Sequence, residues 1–299
     1  MSLAQKFIGV FGFPITPFKQ DLSLDLDGMA RNVDEMTQHP FCAVVASGGT
    51  GEMYSMSVEE NIEVVRTTVG ATAGRMPVVA GVGYNVQMGV AMAKGMEAVG
   101  ADALLIMPPY YTNAPFEGLL EYYASIAGAT GLEVSLYSRD WAAFTPDQVA
   151  RLADRIPNLT FWKDGQGDAR KYQRIMVKVG DRLAWIGGIG DDCVPAYFAV
   201  GVQAFTSSIS AVAPRLSLEL AAQAITRNST GLNELMAKYV HPLYSIRDRK
   251  KGYEVAVMKT FMAMMGKPAG PVRPPLVGTT AADEADIRRL VDLYREDWT

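Results

Sequence analysis

The stretch Leu159-Thr160-Phe161-Trp162-Lys163-Asp164-Gly165 is a short apolar run that ends in a lysine and breaks at a glycine. Bounded by Pro157-Asn158 on one side and Gly165-Gln166-Gly167 on the other, it reads as a buried strand. A lysine inside such a strand is costly, because burial penalises the ammonium and drives its pKa down. That lowered pKa is what an amine needs to attack a carbonyl at neutral pH. A strand-end lysine that reaches solvent or pairs with Asp164 is the alternative, and this stretch alone leaves both open.

Outward from it, apolar runs of the same kind recur at 8–13, 42–46, 77–82, 103–107, 133–137, 183–186 and 203–207. The segments between them carry helical spacing, as in Leu26, Met29, Val33 and Met36. Ser57 and Glu60 stand at capping-box spacing, and Thr145-Pro146 places an N-cap before a proline at the first helical position. Strands buried on both faces and alternating with helices predict an α/β fold, a closed (β/α)8 TIM barrel. A doubly wound sheet would carry a glycine-rich nucleotide turn after its first strand, whereas this one runs into Phe13-Pro14-Ile15-Thr16-Pro17. Residues 1–212 form the predicted catalytic barrel. Residues 213–299 hold only helical patterns, interrupted around 267–275, and form a predicted C-terminal α-helical extension packed on it.

Composition removes several function classes. With 49% apolar and 20% charged residues the chain has the balance of a soluble globular protein with a full-sized core. A net charge of −4 leaves no basic stripe for nucleic acid. No apolar run reaches the roughly 18 residues of a membrane span, and the N-terminus lacks a signal-peptide pattern. Cys42 and Cys193 suit a reducing compartment, so a cytoplasmic location is expected. His39 and His241 lie outside any ligand-spaced cluster, which speaks against a zinc site or a histidine-based triad.

Barrel active sites lie at the C-terminal strand ends, and the unusual residues of this chain fall there. They are Gly48-Gly49-Thr50-Gly51-Glu52 after the second strand, Tyr110-Tyr111 after the fourth and Tyr137-Ser138-Arg139-Asp140 at the fifth. Lys163, Gly187-Gly188 and Thr206-Ser207-Ser208 follow at the sixth, seventh and eighth. The Gly-rich turn can present backbone N–H groups and the Thr50 hydroxyl to an anion, or serve as a plain strand-to-helix turn. Tyr137 is placed on the neighbouring strand at the height of Lys163. Arg139 reads as a carboxylate fork or as a rim ion pair with Asp140. Tyr110 and Tyr111 read as loop packing or as an interface. The methionines at 258, 262, 264 and 265 read as core filler.

This constellation resembles the dihydrodipicolinate synthase/N-acetylneuraminate lyase superfamily of Schiff-base lyases, from about Gly9 to Tyr294. The Phe-Pro-Ile-Thr-Pro-Phe opening, the Gly-Gly-Thr-Gly-Glu turn, Tyr137 and Lys163 carry the likeness. Ala80-Gly-Val-Gly-Tyr84, Tyr137-Ser-Arg-Asp140, Lys163-Asp-Gly, Ile246-Arg-Asp-Arg-Lys-Lys-Gly-Tyr253 and Gly270-Pro-Val-Arg-Pro-Pro275 resemble one branch, the 5-dehydro-4-deoxyglucarate dehydratases. The resemblance implies that Lys163 forms an imine with a 2-oxo acid, that Tyr137 shuttles protons, and that Gly49-Thr50-Gly51 holds the carboxylate. Arg139 and Ser207 complete the expected substrate contacts.

It implies a lyase acting on a 2-oxo-3-deoxy sugar acid by dehydration and decarboxylation, with no metal or organic cofactor, and a homotetramer with Tyr110 or Tyr111 near a subunit contact. A pyruvate-dependent aldolase or lyase and a non-catalytic 2-oxo-acid-binding barrel are the alternatives. Departures are Gly49 where the synthases carry a second Thr, Ser138 for a usual Asn, and Phe161 for a usual glycine. The Gly190-Asp191-Asp192 loop is closer to the synthases.

Overall fold

A computed structural model describes residue 3 and residues 6–298. Eight parallel strands close into a barrel in sequence order, β1 (Gly9–Gly12), β2 (Ala43–Ala46), β3 (Val78–Val82), β4 (Ala103–Ile106), β5 (Glu133–Ser138), β6 (Leu159–Asp164), β7 (Ala184–Gly187) and β8 (Ala204–Ser207). The expected α/β barrel is the fold. Each strand is short and apolar, and β2 and β3 are buried along their whole length, because helices cover the outer face while side chains fill the inside.

The helices are α1 (Leu26–Met36), α2 (Val58–Thr72), α3 (Val86–Ala98), α4 (Phe116–Ala127), α5 (Pro146–Arg155), α6 (Ala169–Val179), α7 (Val194–Ala199) and α8 (Pro214–Ile225). Local chemistry fixes their starts. Ser57 and Glu60 close a reciprocal capping box on α2, and Thr145 and Gln148 close another on α5 with Pro146 at the first turn. The helix α8 packs on β1 and α7 and so completes the outer ring.

The tail continues with α9 (Ser229–Leu235), a π-helical turn (Met236–Val240), α10 (His241–Arg247), α11 (Tyr253–Met264) and α12 (Ala281–Trp298). Its apolar faces bury Leu243, Val257, Phe261, Ile287 and Tyr294 in a core continuous with α8 and the β1–β8 side of the barrel. Met258 and Met262 are core residues there, while Met264 and Met265 lie at its edge. The segment between α11 and α12 folds back over the front of the barrel. Ala269 O accepts from Phe18 N at 3.2 Å, and Lys267 pairs with Glu35 at 2.6 Å. Among the described residues no helix is long and apolar enough to cross a membrane.

The lower barrel is plugged by rings. Phe161 shares the side-chain parity of Lys163 along β6 and points inward. It meets Phe7 edge-on at 5.2 Å, and Phe7 meets Phe11 at 4.8 Å. The floor beneath Lys163 is therefore filled by aromatic rings, with the buried Ser135 directly opposite Phe161.

Candidate active site

Register brings the two central groups together: Tyr137 on β5 stands directly opposite Lys163 on β6. Lys163 is 5% exposed, and its Nζ donates to the carbonyl of Gly188 at 2.9 Å while lying 3.3 Å from the centre of the Tyr137 ring. The Tyr137 hydroxyl donates to the same carbonyl at 3.2 Å. Lys163 and Tyr137 thus share one acceptor at the end of β7. A side chain at Gly188 would place its Cβ 2.5 Å from Lys163 Cγ, so only glycine lets the seventh strand end lie against the lysine stem.

Burial holds the Lys163 amine well below its ordinary pKa, and the guanidinium of Arg139 pushes the same way, while Asp164 opposes both. Burial also raises the Tyr137 hydroxyl, with Arg139 opposing. The pair therefore combines an amine with its charge disfavoured and a phenol that keeps its proton at neutral pH. Such a pair can add an amine to a carbonyl and carry protons around the adduct.

Asp164 points to the other side of β6. Its carboxylate accepts from the Tyr197 hydroxyl at 2.8 Å and from Gly167 N at 3.0 Å, and burial raises its pKa. The bond that a strand-end Lys163–Asp164 ion pair would need is absent, because successive strand residues face opposite ways. Arg139 has two partners. Its Nε lies 3.2 Å from Asp140 at the rim, and its Nη1 reaches toward the Tyr137 hydroxyl at 3.4 Å. It joins the Lys163 group.

The Gly-rich turn at the end of β2 stands across the mouth. Phe13 spans the gap, 5.7 Å from Lys163 Nζ, and its ring leaves space at Gly48 only for a hydrogen. The turn is held from within by Glu52 N to Gly49 O at 3.1 Å, and from the segment after β1 by the Thr16 hydroxyl to Gly51 O at 2.7 Å. Among the described residues none accepts a hydrogen bond from the amides of Thr50 and Gly51. A Cβ at Gly49 would meet nothing within 4 Å, so the position that carries a second Thr in the synthases is open space here.

Ser207 is placed differently from the expectation of a substrate contact. Its hydroxyl is committed to the buried Asp191 carboxylate and to Ser217 Oγ at 2.7 Å, and it also accepts from Ser210 N at 3.1 Å. It anchors β8 to the Gly190–Asp192 loop and α8. Asp191 further accepts from Ser208 and from the Tyr244 hydroxyl at 3.0 Å, which ties that loop to the tail. Ser138, outward on β5, bonds Ala142 O at 3.1 Å and shapes the loop before α5.

Sequence reasoning placed Gly188 and Glu52 at the strand ends without giving either a role, and gave none to Phe13 or Lys259. The Gly188 carbonyl carries no side-chain signal at all. Phe13 read as part of a strand end. Glu52 and Lys259 form a buried ion pair at 2.5 Å; the lysine's place among the methionines of α11 was the available signal.

The sequence pattern of the Dihydrodipicolinate synthetase family matches residues 6–293. A probable 5-dehydro-4-deoxyglucarate dehydratase of Bradyrhizobium diazoefficiens is 37% identical over 285 residues, covering 95% of this chain and 91% of that protein. One of Saccharopolyspora erythraea is 36% identical over 289 residues, covering 96% and 93%. Among solved structures, a dihydrodipicolinate synthase from Bacillus clausii superposes with a TM-score of 0.92 at 26% identity, covering 98% of this chain and 99% of that one. A chloride-inhibited dihydrodipicolinate synthase from Acinetobacter baumannii, complexed with pyruvate, gives 0.87 at 25% identity over 96% and 98%. With the barrel, the lysine on its sixth strand and a match along nearly its whole length, this chain belongs to the dihydrodipicolinate synthetase family.

Proposed function

We propose that the protein is a Schiff-base dehydratase that converts 5-dehydro-4-deoxyglucarate to 2,5-dioxopentanoate, water and carbon dioxide. The observation that carries the reading is the Lys163 amine, buried, with its charge disfavoured, between the Tyr137 ring and the Gly188 carbonyl. Lys163 attacks the oxo carbon and expels water, giving a protonated imine. Counting from the adjacent carboxylate, this electron sink acidifies C3. Loss of the C3 proton gives an enamine, which expels the C4 hydroxyl as water with a proton delivered by Tyr137. The carboxylate distant from the oxo group then leaves as carbon dioxide, its electron pair drawn through the new double bond into the iminium. Protonation of C3 and tautomerisation of the resulting enol give the aldehyde, and hydrolysis of the imine returns free Lys163.

The amides of Thr50 and Gly51, with the Thr50 hydroxyl, are the cradle for the carboxylate beside the oxo group, and Gly49 leaves room for it. Arg139 is the cationic contact at the rim. The relatives named as probable dehydratases, each matched over nearly the whole chain, support this substrate over the others handled by the family. The protein works in the cytoplasm as a homotetramer. Two free cysteines, and two tyrosines at 110 and 111 that are 81% and 93% exposed beside the mouth, support these assignments.

Borohydride reduction with pyruvate, followed by peptide mass spectrometry, tests the chemistry. A reduced adduct on the peptide holding Lys163 is expected. Its absence, with both pyruvate and the sugar acid, would overturn the mechanism. Carbon dioxide release from 5-dehydro-4-deoxyglucarate then tests the substrate.

A further inference from the structure

The Gly-rich turn ends on Glu52, whose backbone is left-handed at φ 53° and whose side chain is completely buried. Its carboxylate meets Lys259 of α11 at 2.5 Å, and Lys259 is itself 2% exposed. Lys259 also donates to Pro271 O at 2.8 Å and lies 4.0 Å from the centre of the Phe18 ring. The second Glu52 oxygen accepts from the backbone of Arg273 at 3.2 Å. Arg273 forks Glu60 with two bonds of 2.7 Å, donates to Ser55 O at 2.9 Å and stacks on Phe18 at 4.2 Å. Glu60 is the capping-box residue of α2, the helix that follows the turn. The segment from Glu52, at the end of the turn, to Glu60 is therefore tied to the C-terminal tail at both of its ends.

A buried ion pair is a poor way to gain stability, since desolvation offsets most of the attraction. Burial depresses the Lys259 amine to about 8, and Glu52 only partly restores it. The pair instead sits where a local need exists. Three glycines make a backbone with little stiffness of its own, and the amides of Thr50 and Gly51 have no acceptor among the described residues to aim them. A fixed anchor at the end of the turn sets the direction of those amides.

We propose that Glu52 and Lys259 are positioning residues, through which the C-terminal tail holds the Gly-rich turn in the geometry that receives the substrate's carboxylate. This rests on the reading of that turn as the carboxylate cradle. The role is separable from stability. Lys259→Met alone leaves a buried unpaired carboxylate and lowers Tm, whereas the double variant Glu52→Gln/Lys259→Met removes both charges and recovers Tm.

The test measures Tm and the pyruvate dependence of borohydride trapping at Lys163 in the wild type, in Thr50→Val, in the double variant and in Glu52→Asp, which shortens the anchor by one methylene. Thr50→Val is expected to raise half-saturating pyruvate about tenfold, a loss of ~1.4 kcal/mol. The double variant is expected to do the same with a recovered Tm and a saturating trapping rate within about threefold of wild type. A double variant with recovered Tm and half-saturation within about twofold of wild type overturns the positioning role. If the double variant does not fold, Glu52→Asp decides on the same criteria. An unchanged half-saturation in Thr50→Val overturns the cradle itself, and so separates the failure of that reading from the failure of this one.

Discussion

Replacing Gly188 by alanine places a methyl group where the Lys163 stem now lies. The added Cβ would sit 2.5 Å from Lys163 Cγ and 2.7 Å from Lys163 Cε, with the carbonyl oxygen of Asp164 also at 2.7 Å. Carbon atoms in contact prefer separations of about 3.5–4.0 Å, so the shortfall is about 1 Å. The Asp164 oxygen belongs to the backbone of β6 and cannot retreat, so the lysine stem must swing. Overpacking of this kind costs about 1–3 kcal/mol of stability. A displacement of about 1 Å at a reacting group costs about a hundredfold in rate. Gly188→Ala is therefore expected to fold with a Tm lowered by several degrees and to lose about two orders of magnitude in kcat/KM. The assays are thermal unfolding, turnover of the sugar acid, and the rate of pyruvate-dependent borohydride trapping. A variant with a wild-type trapping rate and turnover would refute the argument that the end of β7 sets the position of the amine.

Other perturbations address the electrostatics. Arg139→Gln removes a positive charge that depresses the Lys163 pKa, so that pKa rises. The pH profile of trapping should then move to higher pH, and the rate near neutrality should fall severalfold; an unmoved profile would exclude Arg139 as a tuning group. Lys163→Met should raise Tm at neutral pH, because the folded-state pKa of Lys163 lies below its unfolded value of 10.5. Burying the amine costs stability below that value, and the cost fades as the pH rises toward it, so the gain in Tm should shrink in alkaline melts. A lower Tm for Lys163→Met at pH 7 would contradict this. Tyr137→Phe keeps the ring against Lys163 but removes the proton carrier. Trapping with pyruvate should survive while dehydration slows by about 10²–10⁴, as read from carbon dioxide release.

The barrel was legible because its signals are local. Runs such as Val78–Val82 and Ala103–Ile106 are uninterrupted, as strands buried on both faces must be, and the caps at Ser57 and Thr145 mark helix starts within four residues. Lys163 was legible for the same reason, a charge at the end of an apolar run. Ser207 shows the limit of that reasoning. A hydroxyl at the end of a barrel strand has the right address for a substrate contact, but whether it is free depends on Asp191, Ser210 and Ser217, and Asp191 comes from another loop.

The sequence by itself determined the fold and marked Lys163 as the candidate nucleophile, and it placed Tyr137 beside it through the spacing of two consecutive strand–helix units. Only the tertiary structure decided which groups share the lysine's surroundings from other strands: the Gly188 carbonyl and Phe13. It also joined Glu52 to Lys259 across more than two hundred residues of chain. The physical reason is that strand and helix formation follow from periodicity and capping within a few residues. The acidity of an amine and the aim of a turn follow from burial and from partners that only chain closure brings within a few ångströms.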